Sequence, residues 1–298
     1  MTRLVWTIPV LAAMLALLPA CGSAGPRDTP EETIAAMKKV VLDGRADRLG
    51  DFIYADNPDM RKLLRRTGIM LGNLQKLSAS VQAKFPDEVA KLKADAVQAA
   101  KDGKATSFLS QIVGQIGGNN APRRRRASSE DSNKVRASFD DFLKGLMADP
   151  YGWAEQAETR LTTAFLTDDS VALLWDEKPV LAPIGLKMQR AVDGEWYIVL
   201  PTGAVGGLMP HTPDQYKIFG SLIATFDNVI IDLATDVESG RVNDLNELSR
   251  KAGEKAFLPV AATVFAYGNY TAKLEKEKRA AAKPTAGTSP ASSSPSPK

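Results

Sequence analysis

The chain is poor in the residues that most often carry chemistry. Its 298 residues include one cysteine and one histidine. A protein zinc site draws most of its ligands from Cys and His, so the count argues against one, and no metal site is expected. One cysteine cannot close an internal disulfide. Strong net charge is missing too. The formal balance is +3, but Arg3 lies near the start and Arg279, Lys283 and Lys298 near the end, so residues 21–278 carry −1. Nucleic acid is therefore not an expected partner. No G-x-S-x-G occurs, so the elbow that presents a nucleophilic serine is absent. The glycine-rich stretch Gly203-Ala-Val-Gly206-Gly207 has neither dinucleotide spacing nor a following Lys-Ser/Thr, so no phosphate cradle and no cofactor are expected.

What is present is ample for a folded body. Apolar residues make up 44% of the chain, an ordinary share for a protein with a core. The long apolar run is confined to the start. Arg3 gives a positive beginning, Leu4 to Leu18 is almost wholly apolar, and Pro19-Ala20 precede Cys21. A run this short, ending in a small residue, reads as a signal peptide over 1–20 rather than a spanning helix. Leu18-Pro19-Ala20-Cys21-Gly22 resembles the bacterial lipobox. That resemblance implies cleavage before Cys21, a lipid on its thiol, export, and anchoring to a membrane. Gly22 in place of Asp implies the outer membrane, facing the periplasm, if the source is Gram-negative. Acyl chains on one cysteine account for a lone thiol in an exported chain better than redox chemistry does.

Composition divides the remainder. Residues 21–29 read as a tether and 30–116 as a mainly helical part. Residues 117–133 hold paired Gly, paired Asn, a Pro and Arg123–Arg126, and read as a mobile basic loop. Residues 134–279 combine a helix, an antiparallel sheet and C-terminal helices. Residues 280–298 are Ala/Ser/Pro-rich and read as a disordered tail.

The fold class expected is α+β, a four-stranded antiparallel meander packed with several helices. Thr29, Pro30 and Glu31-Glu32 open a helix that Gly44 stops. A short helical turn follows at 46–54. A helix over 59–84 carries the stripe Leu63, Thr67, Met70, Leu74, Leu77 and Val81, which reads as internal packing. Pro86 opens another helix, and shorter ones are expected near 108–116 and 135–146. The period then changes to two. Strands are expected at 161–166, 171–175, 184–192 and 195–200, with turns at Asp168-Asp169 and Asp193-Gly194. Pro213 opens a helix to Glu238, and a last helical segment at 242–279 is expected to kink or break at Pro259.

The order of "TPEETIAAMKKVVLDGRADRLGDFI" and then "VDGEWYIV" resembles exported proteins with a nuclear-transport-factor-2-like, or cystatin-like, roll. The resemblance implies a curved sheet wrapped on a helix around a conical pocket, here with a helical insertion at about 58–148. A pocket of that kind implies Trp175, Trp196, Tyr197 and His211 as ligand contacts, and an enzyme of that kind implies His211 with a nearby carboxylate. From the residues alone, the tryptophans on alternating strand positions read first as core, and His211 as a loop residue. Arg123, Arg124, Arg125 and Arg126 suit anionic lipid or an acidic envelope polymer. Asn228, Asp232 and Asp236 form a helix stripe that reads as a solvated face rather than a cation site. The function expected is a membrane-anchored, non-catalytic binding or structural module of the cell envelope. A small-molecule carrier or sensor is the alternative, and a protein partner remains open.

Overall fold

A computed structural model describes residues 25–101, 140–181, 185–201 and 210–281. The fold is α+β. Its helices are α1 (Pro30–Leu42), a 3-10 helix (Ala46–Phe52), α2 (Pro58–Lys84), α3 (Pro86–Lys101), α4 (140–148) and α5 (Trp153–Arg160), then α6 (Pro213–Glu238) and α7 (Leu245–Ala281). Between α5 and α6 lie β1 (Leu161–Thr167), β2 (Ser170–Trp175), β3 (Lys178–Pro179), β4 (Leu186–Arg190) and β5 (Trp196–Val199).

The caps explain where the helices begin. Thr29 Oγ1 accepts from the Glu32 N–H while Glu32 Oε2 accepts from the Thr29 N–H, a reciprocal capping box. Thr212 and Gln215 repeat it at α6. At α2 the cap is Asn57, whose Oδ1 accepts from the Met60 N–H. Pro occupies the first turn of all three, where its missing N–H costs nothing. α7 runs unbroken through Pro259, so the break expected there does not occur. Thr263 Oγ1 donates back to the Pro259 carbonyl at 2.9 Å within that helix.

The strands run antiparallel in the order β1-β2-β4-β5, a meander, and β3 adds two residues beside β2. The β2–β3 turn places Asp176 and Glu177 at positive φ. The matched rows put Val171, Met188 and Ile198 on one face. Leu173, Leu186 and Trp196 share it, and together they form a cluster that Ile34 of α1 covers.

Helices α2 and α6 run side by side in the same direction. Asn57 meets Tyr216, Asn73 meets Asp227, and Ser80 meets Glu238 along their length. Aligned dipoles of parallel neighbours repel. α7 lies antiparallel on α6 and offsets that repulsion, with Lys255 at Asp232 and Asp236 and Tyr267 edge-on to Phe219 at 5.0 Å. The main helical core gathers Leu74, Leu77 and Val81 of α2 with Leu233 and Val237 of α6 and Leu248 of α7. The expected stripe on α2 is thus largely internal, although Thr67 and Met70 stay half-buried.

Three glycines set the seat of the 3-10 helix on α2. A Cβ on Gly68 would lie 2.2 Å from the Asp47 carbonyl oxygen, and one on Gly72 would lie 3.0 Å from Asp47 Cβ. From the other side, a Cβ on Gly50 would meet the Leu64 carbonyl oxygen at 2.4 Å. Only hydrogen in place of a methyl lets these backbones approach so closely.

By length and composition α6 is apolar enough to cross a membrane. In the fold it packs between α2 and α7, with only 11% of that apolar window fully buried.

Candidate functional site

The segment before α1 does not hang free. Residues 25–29, expected as part of the tether, lie along the outer edge of β5. The Trp196 N–H donates to the Arg27 carbonyl at 3.0 Å, and the Trp196 indole N–H donates to the Asp28 carbonyl at 3.1 Å. Arg27 then reaches inward. Its guanidinium pairs with Glu195, donates to the Asp51 carbonyl at 2.9 Å, and lies over the Phe52 and Tyr197 rings at 5.4 and 4.9 Å. One arginine side chain, 15% exposed, thus ties the N-terminal segment to the 3-10 helix and to the sheet.

The sequence-predicted pocket residues do not converge. Trp196 is buried in the sheet cluster and meets Phe165 of β1 edge-on at 6.5 Å. Contact between the first and last strands of the meander requires the sheet to curl. Trp175 stands on that same face but at the opposite end of β2, six residues along from the row shared by Asp169 and Arg190 with Trp196. There it lies half-buried under Arg160 at 4.9 Å, and Arg160 is held in turn by Asp176. Tyr197 follows Trp196 in the strand and therefore faces the other way. Its hydroxyl donates to Asp193 at 2.7 Å and contacts Glu195 at 2.9 Å, and burial together with these acidic partners raises its pKa. His211 is exposed just ahead of α6. Its backbone N–H donates to Gln215 Oε1 at 2.8 Å. Cys21 and Arg123–Arg126 lie outside the described residues, as do Gly203–Gly207.

The stripe on α6 corrects one expectation. Asp236 is not on a solvated face: its side chain is 9% exposed and takes Arg241 at 2.6 Å and Lys255 at 3.1 Å. Burial alone would raise its pKa, yet the hydrogen bonds from Lys255 and Arg241 outweigh burial and hold the carboxyl below its ordinary value. Asp232 joins Lys255 at 3.5 Å. The acids of the stripe pin α6 to α7. Among the described residues no group of three metal-ligating side chains occurs.

Among the grooves that open on the described surface are three formed between neighbouring elements. One of about 550 Å³ lies between α1, α5 and the edge strand β1, with Ile34, Leu42 and Leu161 among apolar walls and Lys38 bonded to Glu158 at 2.6 Å across it. A second, of about 640 Å³, lies between α4 and α7 beside the exposed Phe257. The third, of about 370 Å³, lies between α2 and α6. It gathers Lys62, Arg65 and Arg66 from one helix and Lys217 from the other. Sequence reasoning did not single out these cations. The available signal was their i, i+3, i+4 spacing, which puts Lys62, Arg65 and Arg66 on one helix face. Against these features, no family model matches the chain, and no curated protein or solved structure proves similar to it.

Proposed function

We propose that this chain is an exported bacterial protein held on a membrane by lipid at Cys21, and that its α+β body serves as a non-catalytic binding or structural module of the cell envelope. The observation that carries the reading is the lone cysteine itself. It stands directly after the apolar run and the sequence Leu18-Pro19-Ala20, and no second cysteine is available to pair with it in a disulfide. Docking of residues 25–29 on β5 supports the anchoring role, because it leaves little free chain. Arg27 lies six residue steps beyond Cys21, at most about 22 Å when fully extended. The body therefore stays close to the membrane surface. The roll resemblance belongs to the same proposal. It is supported by α1 lying on a sheet that curls far enough for Phe165 to touch Trp196.

Cys21→Ser is the direct test. In a bacterial host the natural chain should sediment with membranes, and the variant should lose its acyl chains and leave that fraction. Unchanged sedimentation and unchanged mass in the variant would end the reading.

A carrier role is the second reading, and the groove between α1, α5 and β1 favours it more than the tryptophans do. Its volume suits a small apolar ligand or a short extended segment beside β1. Native mass spectrometry of the full chain in detergent tests it. A bound mass that disappears when Leu161→Lys blocks the groove supports a carrier, and a bare chain argues against one.

A further inference from the structure

The groove between α2 and α6 has a charge pattern that the fold itself does not use. Lys62 pairs with Asp59 at 3.3 Å, and Lys217 with Asp214 at 2.9 Å. Arg65 and Arg66 make no hydrogen bond or ion pair among the described residues. Several other surface guanidinia are engaged, Arg48 with Asp51, Arg160 with Asp176, and Arg250 with Glu254, whereas exposed Arg61, outside this groove, is like Arg65 and Arg66 in making no side-chain pair among the described residues. Arg66 is nevertheless not simply out in water. It lies against α6 where residue 220 is glycine, and a Cβ there would sit 3.1 Å from its Nη1. Gly220 thus gives the guanidinium a place against the helix backbone, above a wall of Leu63 and Pro213.

Charge complementarity defines the occupant. Lys62, Arg65, Arg66 and Lys217 against Asp59 and Asp214 leave +2, the charge of the two unpaired arginines. A phosphate group carries about −1.5 to −2 near neutral pH and offers three oxygens. A single carboxylate would satisfy one guanidinium and leave the other, whereas phosphate suits two planar forks at once. We propose that the α2–α6 groove binds a phosphate-bearing anion through Arg65 and Arg66, with Lys62 and Lys217 at its rim. The phosphate is either free or the headgroup of a lipid. The lipid source rests on the anchoring reading above, and the free source does not.

Arginine footprinting of the full chain in dodecyl maltoside tests the site. Phenylglyoxal modification is followed by mass spectrometry, with added inorganic phosphate in one arm and mixed micelles containing phosphatidic acid in the other. With ligand tenfold above half-saturation, Arg65 and Arg66 should react about tenfold more slowly, because only the empty fraction of sites is modified. Arg48 should react at an unchanged rate. Protection by inorganic phosphate establishes a free-phosphate site, and protection by phosphatidic acid alone establishes a headgroup site. In Arg66→Gln, protection of Arg65 should vanish in whichever arm showed it. Absence of protection in both arms would overturn the proposal, as would protection of Arg65 that survives Arg66→Gln. The mass of the chain at Cys21 reports the anchor separately, so failure of one reading does not imply failure of the other.

Discussion

At Arg27 one side chain meets a carboxylate, a carbonyl and two aromatic faces. Arg27→Gln keeps a donor but removes the charge and the ring contacts. We expect a loss of about 1–3 kcal/mol, from a charged hydrogen bond and partly desolvated cation–π contacts. Faster amide exchange at residues 25–29 should accompany it, and thermal unfolding with exchange mass spectrometry checks both. Asp236 gives a pH dependence. Its carboxyl is held below its ordinary value in the fold, so its contribution is fully present above the unfolded pKa, about 3.9. That contribution is lost as pH falls through the lower, folded value. Asp236→Asn should therefore flatten the acid limb of the stability curve. At neutral pH it should cost about 1–3 kcal/mol, less than a fully buried pair because Arg241 is more than half exposed. Denaturant melts at several pH values decide the matter.

At the scale of elements, two glycine substitutions separate close backbone contact from mere helix weakness. Gly68→Ala forces a methyl into the Asp47 carbonyl, and neither backbone can yield without moving the 3-10 helix off α2. The overpacking should exceed the gain in helix propensity and leave a net loss of about 2 kcal/mol. Gly220→Ala meets only the far end of the long Arg66 side chain, which can shift by a few tenths of an ångström. It should leave stability unchanged or raise it by up to about 1 kcal/mol. Chemical denaturation of both variants checks the contrast. These contacts also show what a sequence conveys and what it withholds. The N-cap at Thr29, the helix start at Pro213 and all four long strands were readable, because a helix start needs only neighbouring residues and a meander alternates in an obvious way. α5 was not readable: Trp153–Arg160 turns only Ala154 and Ala157 inward, too small a face to stand out. β3 was hidden because its turn uses Asp176 and Glu177 at positive φ, where glycine or asparagine is the usual signal. The part played by Gly68 and Gly72 shows only with the 3-10 helix set against them.

For the whole molecule, the proposed attachment is through lipid at Cys21 rather than through a basic surface. We expect the protein to remain with membranes through a wash in about 1 M salt, where screening reduces the Debye length to about 3 Å. An electrostatically held protein would wash off. Placement of side chains across the fold was the least readable level. The roll resemblance grouped Trp175, Trp196 and Tyr197, but register sends Trp175 to the far end of β2 and alternation turns Tyr197 to the other face. The groove cations come from helices some 150 residues apart in the chain, as Arg66 and Lys217 do, so no local pattern joined them. The central claim is the anchor, and its most direct test is the intact mass of the mature N-terminal peptide, recovered from membranes of a bacterial host. A peptide beginning at Cys21 and heavier by a diacylglyceryl group is the expected result. A peptide that begins elsewhere, or carries a free thiol at Cys21, would contradict it.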